Sequence, residues 1–300
     1  MKVNTNFEPG RENTFPGGGV SSKNRPQFDE ADDLFDLCKD IAFKAVFTKS
    51  TPASQAALSN LVSALIGHDV SITTINANEP PVDNIWERQI RFDIRCKAVT
   101  GELVNVEMSL TPNSFEPSRF EYYAGRLFTS QKIRGVKRAY DELKPAYQIT
   151  IMANERFFDD EVILHKFEYY DPLHGVPLNG KSRIITLELP KLDRIIEKST
   201  EAMNTTERWG SFLRYLTDKA KREKINEIIA CEEGIAMACE VMMTISKDEI
   251  EWARQESKLK YELDLQDMLV HAERKGERKV LDLLKSGKPP EEILREYDGQ

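Results

Sequence analysis

Cysteine and histidine are both scarce, four of each in 300 residues, and neither is grouped. Cys38, Cys96, Cys231 and Cys239 show no disulfide framework and no metal-ligand spacing, the usage of a protein kept in a reducing cytoplasm. His68, His165, His174 and His271 include no two at ligand spacing, which argues against zinc chemistry. No apolar run is long enough to span a bilayer, and Met1-Lys2-Val3 does not lead into a signal-peptide core, so no membrane partner is expected. Gly17, Gly18 and Gly19 have no strand before them, no helix close behind and no Gly-Lys-Ser/Thr, so no nucleotide cofactor is expected either. Surplus positive charge is missing as well. The formal net charge is −8, which by itself does not favour a nucleic-acid partner.

What is present is a globular composition with a strongly charged part: 40% hydrophobic, 31% charged, and long enough to bury a sizeable core. Three regions differ in character. Residues 1–28 form a polar, Gly/Pro-rich tail, residues 29–190 mix helical and strand patterns, and residues 191–300 read as helices ending in a long charged one. Charge is uneven. The stretch 86–138 holds ten Lys/Arg against six Asp/Glu, a modest basic footprint.

The clearest pattern lies within 86–110, where two runs of strict alternation flank a loop with Gly101. Ile90, Phe92, Ile94, Cys96 and Ala98 share one face, and Arg91, Asp93, Arg95 and Lys97 the other. After the loop, Val104, Val106, Met108 and Leu110 are apolar, while Asn105, Glu107 and Ser109 oppose them. The polar faces of a hairpin must coincide, which demands an odd loop: Val99, Thr100 and Gly101, with Gly101 left-handed. Asp93 then lies across from Glu107, and Arg91 across from Ser109. Two carboxylates side by side repel, so either a divalent cation or the flanking arginines must offset them.

Around this hairpin the periodicity predicts a helix over 30–49 and a second over 52–66, opened by Thr51-Pro52 and stopped by Gly67. A short strand is expected over 70–75, a helix from 114 or 116 to about 132, and strands over 147–153, 162–170 and 183–189. Helices follow over 207–221 and 225–245. Ser246 to Glu249 form a capping box for a further long helix whose apolar stripe is too thin to stand alone, so it should dock or self-associate.

Four segments, in order, resemble the recombination-promoting nuclease and transposase group of the PD-(D/E)XK nuclease superfamily. They are Asp40-Ile-Ala-Phe-Lys-Ala-Val-Phe47, Asp93, Glu107-Met-Ser109 and Arg119-Phe-Glu-Tyr-Tyr123. The resemblance spans roughly 30–190. It implies an α/β fold with the restriction-endonuclease-like core, a central mixed sheet flanked by helices, over 29–190. It also implies a DNA partner, Mg2+ or Mn2+ as cofactor, and hydrolysis of phosphodiester bonds linked to recombination or mobile elements. Asp93, Glu107 and the Met108 carbonyl would hold the metal. Asp40 would assist them from the first helix, or is an ordinary exposed helix acid. Lys44 would reach a phosphate, or is a solvated lysine. Arg119, Tyr123 and Arg126 fall on one side of their helix, either as a phosphate-contacting face or as aromatic packing with arginine stems alongside. One departure stands out. The group has Glu-x-Gln, and most of the superfamily Glu-x-Lys, where this chain has Ser109. Two functions therefore follow: a metal-dependent endonuclease using Asp93, Glu107 and Ser109, or a degenerate nuclease fold that binds DNA or protein.

Overall fold

The computed structural model describes residues 25–75, 93–110, 116–131, 139–245 and 276–290, together with 273 and 292. The chain opens with two helices, α1 (Asp40–Phe47) and α2 (Pro52–Ile66). Three strands follow, β1 (Ile72–Ile75), β2 (Ile94–Ala98) and β3 (Leu103–Ser109), then α3 (Glu116–Thr129) and β4 (Ala146–Met152). This is the αβββαβ order that the resemblance implies. Four strands come next: β5 (Leu164–Phe167), the small pair β6 (Tyr170–Asp171) and β7 (Val176–Pro177), and β8 (Ser182–Glu188). Three helices, α4 (Thr205–Tyr215), α5 (Arg222–Cys231) and α6 (Glu233–Met243), come after the strands.

The main sheet has six strands in the order β1-β2-β3-β4-β8-β5. β1, β2 and β3 run antiparallel, β3, β4 and β8 run parallel, and β5 closes the far edge antiparallel to β8. The sheet is therefore mixed, and α3 is the crossover between the parallel pair β3 and β4. β4 is buried at every position, as an interior strand covered on both faces must be. One face carries Ile94, Cys96, Val104, Val106, Tyr147, Ile149 and Ile151 into the main core with α1 and α2. The opposite face carries Asn105, Glu107, Gln148 and Thr150, all buried. α3 packs on β3, β4 and β8.

α4, α5 and α6 belong to the same buried cluster as α2 and the sheet. An aromatic chain ties the two ends together: Phe43 to Phe47 at 4.8 Å between ring centres, Phe47 to Trp209 at 5.9 Å, and Trp209 to Phe212 at 5.9 Å. Among the described residues no helix is long and apolar enough to cross a membrane.

Three expected helices differ. The helix expected over 207–221 ends at Tyr215, and the Asp218 carboxylate accepts the Ala220 N–H to open a separate turn at Lys219–Lys221. The helix expected over 30–49 begins only at Asp40, because short acids capture the backbone before it. The Asp32 carboxylate accepts the Asp29 N–H, and Asp36 accepts the Cys38 N–H. The helix expected over 225–245 breaks at Glu232 into α5 and α6. There the Glu232 carboxylate accepts from Asn60 of α2 and from Arg208 of α4. The long helix expected after Ser246 lies mostly outside the described residues. Residues 276–285 are helical.

Candidate active site

The β2–β3 hairpin has the register its alternation demands. Ile94 pairs with Val106, Arg95 with Asn105, Cys96 with Val104 and Lys97 with Leu103. Gly101 takes φ +93°, and its N–H donates to the Ala98 carbonyl at 2.9 Å. Continuing the ladder one step sets Asp93 opposite Glu107. Residues 76–92, Arg91 among them, lie outside the described residues.

Asp93 sits in the bend just before β2 and is wholly buried. Its Oδ2 accepts the Met108 N–H at 3.1 Å, and its Oδ1 lies 3.3 Å from the Lys44 Nζ. Asp93 thus reaches across the gap to the residue beside Glu107. In a strand the N–H and C=O of one residue leave by the same edge, so the Met108 carbonyl also faces the Asp93 side.

Glu107 is 3% exposed. Its Oε1 accepts from Asn105 Nδ2 at 3.1 Å, and its Oε2 accepts from an Arg119 guanidinium nitrogen at 3.3 Å. Asn105 also donates to Gln148 Oε1 at 2.7 Å, and Gln148 Nε2 donates to Thr150 Oγ1 at 3.3 Å. Glu107 is therefore held by a polar ladder running across β3 and β4 beneath α3. Arg119 lies 3.6 Å from Glu116 and 5.3 Å from the Tyr123 ring centre. An uncompensated buried carboxylate costs several kcal/mol, and here each has a basic group against it: Lys44 on Asp93, Arg119 on Glu107.

The remaining candidates are distributed as follows. Lys44 is 2% exposed and so is not a solvated lysine. Its helix is held by the fully buried Phe43 and Phe47, which bring the ammonium in beside Asp93. Asp40 opens α1, and its side chain lies outside the described residues. Ser109 ends β3, half-buried, on the same face as Glu107. Tyr123 is buried in a small cluster with Leu103, Leu127 and Ala146, the packing alternative for this ring. Arg126 is half-buried three residues further along α3.

A second ionic cluster escaped the sequence reading. Asp160, His165 and Glu188 offer ligand atoms within 4.8 Å of one another. His165 Nε2 is 3.0 Å from Asp160, and His165 Nδ1 is 3.8 Å from Glu188. Glu188 is in register with Met152 and, through it, with Ser109, so it shares the Glu107 face of the sheet. The Lys191 ammonium already lies between the acids, 2.6 Å from Asp160 and 2.7 Å from Glu188. Its hydrogen bond holds the Asp160 carboxyl well down, at about 2. The only local signal was the three-residue spacing of Glu188 and Lys191. The rest depends on a loop folding back over β8.

A sequence profile described as PD-(D/E)XK nuclease family transposase matches residues 37–272. No curated protein matches the chain, and no solved structure does.

Proposed function

Because the chain belongs to the PD-(D/E)XK nuclease transposase family, we propose that it is a metal-dependent endonuclease hydrolysing phosphodiester bonds of DNA in mobile-element recombination. One observation carries this reading: the Asp93 carboxylate reaches over to the Met108 backbone, next to Glu107, at the end of the polar face. The donors fit a hard divalent cation such as Mg2+ or Mn2+, since all are oxygens: two carboxylates and the Met108 carbonyl. A cation held there supplies Lewis acidity toward phosphate and makes a nearby water more acidic.

The protein's own groups do the rest. Asn105 and Gln148 fix the Glu107 carboxylate. Arg119 lies against Glu107 and Glu116, and from α3 it would present its guanidinium to a phosphate. Tyr123 carries that guanidinium against its ring, and Arg126 extends the basic side of α3. A second reading, a degenerate fold that binds DNA or protein, is favoured by one feature only, the short hydroxyl of Ser109.

The test is nicking of supercoiled and single-stranded DNA with Mg2+ or Mn2+. The natural chain should cleave, and Asp93→Ala and Glu107→Ala should each abolish cleavage. Folded protein that fails to cleave, with Ser109→Gln and Ser109→Lys equally inert, would establish the binding reading instead.

A further inference from the structure

We propose that Lys44, from α1, is a catalytic residue of this site and supplies the positive charge that Ser109 cannot. The inference rests on the reading of Asp93 and Glu107 as a hydrolytic centre. A lysine has a long apolar stem and ordinarily carries its ammonium out to water. Lys44 does the reverse. It is 2% exposed, and its Nζ lies 3.3 Å from the Asp93 oxygen that the Met108 N–H does not hold. The burial of Phe43 and Phe47 fixes the helix face, so the inward direction of the stem is set by the core.

Two roles could explain a buried ammonium here. It could be a counter-ion for Asp93 and nothing more. A divalent cation bound to Asp93 would already balance that carboxylate, and an adjacent ammonium would then repel the cation and weaken the site. The placement is consistent with activity if the ammonium serves the charge of the reaction itself. In the hydrolysis a water oxygen bonds to phosphorus and loses one proton to solvent. The P–O ester bond breaks with its electron pair on the departing oxygen, which takes a proton from solvent. Lys44 donates a hydrogen bond to a non-bridging phosphate oxygen as negative charge builds there. Ser109, on the other side of Glu107, has only a one-carbon stem and no charge.

The experiment measures metal-dependent nicking, Mn2+ affinity by calorimetry and thermal melting for the full chain. It compares the natural protein with Lys44→Met, Lys44→Arg, Asp93→Ala, and Lys44→Met combined with Ser109→Lys. Lys44→Met should lower nicking by about a hundred- to a thousand-fold, while Mn2+ binds as tightly as before or several-fold tighter. Lys44→Arg should retain part of the activity. The double variant should recover at least tenfold over Lys44→Met, because Ser109→Lys returns an ammonium to the site from β3. A purely structural lysine would give no such rescue. Full activity in Lys44→Met, with Asp93→Ala inert, would overturn this inference and leave the nuclease reading intact. A melting, Mn2+-binding double variant without rescue would also overturn it. If Asp93→Ala nicks as well as the natural chain, the nuclease reading falls and Lys44 with it. If the natural chain does not nick, Lys44 does not supply what Ser109 lacks and the inference is overturned.

Discussion

Lys191 shows how much one side chain can determine. Its ammonium is fully buried and bridges Glu188, also fully buried, to Asp160 at the surface. Asp160 is depressed from the ordinary 3.8 to about 2, chiefly by the hydrogen bond from Lys191. A depressed carboxyl contributes stability that is present above its ordinary pKa and is lost as pH falls through the depressed one. That contribution should therefore fade between about pH 4 and pH 2. Lys191→Met should return the Asp160 titration, followed by carboxyl NMR, toward its ordinary range. It should also strand Glu188 without its counter-ion, at a cost of about 3–5 kcal/mol in urea unfolding. An Asp160 titration that does not move would show that Lys191 is not the cause. Apart from the three-residue spacing of Glu188 and Lys191, none of this was legible in the sequence, because Asp160 and His165 meet Glu188 only through the fold.

Helix ends divide into two kinds. Those of α2 were readable because each signal is local: the Thr51 hydroxyl accepts the Ser54 N–H, Pro52 follows, and Gly67 takes φ +93°. The break between α5 and α6 was not readable, because Glu232 draws its partners from α2 and α4. Gly234 follows that break, and a Cβ there would sit 2.4 Å from Asn60 Cβ. Asn60 in turn accepts from Trp209 Nε1 at 2.6 Å. In Gly234→Ala two effects oppose. Alanine favours a helix by about 1 kcal/mol over glycine, while overpacking costs about 1–3 kcal/mol. A clash with a side chain that is itself anchored should win, so the variant should unfold at lower urea than the natural chain. A higher midpoint would mean that α6 can shift away from α2 freely.

At the scale of the whole molecule, the helix at 276–285 exposes Leu281 and Leu284. Exposed leucines on a charged helix leave the two expected outcomes, docking on the core or self-association, to be tested. Light scattering should give a mass above one chain for the full protein and one chain after truncation following Ile245. Equal masses together with an unchanged melting temperature would make the region a solvated appendage, whereas equal masses with a lowered one would mean that it docks on its own core. By itself, the sequence determined what repeats locally: the β2–β3 hairpin, its register with Asp93 opposite Glu107, and the two ends of α2; the αβββαβ order came from the family resemblance. Alternation and capping act within a few residues, so they can be read from the chain. Only the tertiary structure decided which charge faces which. Lys44 turns inward because Phe43 and Phe47 claim the core face beside it, and Arg119 meets Glu107 because α3 packs across the sheet. Buried charges must find partners wherever the fold brings them, and that distance in sequence is what no local pattern records.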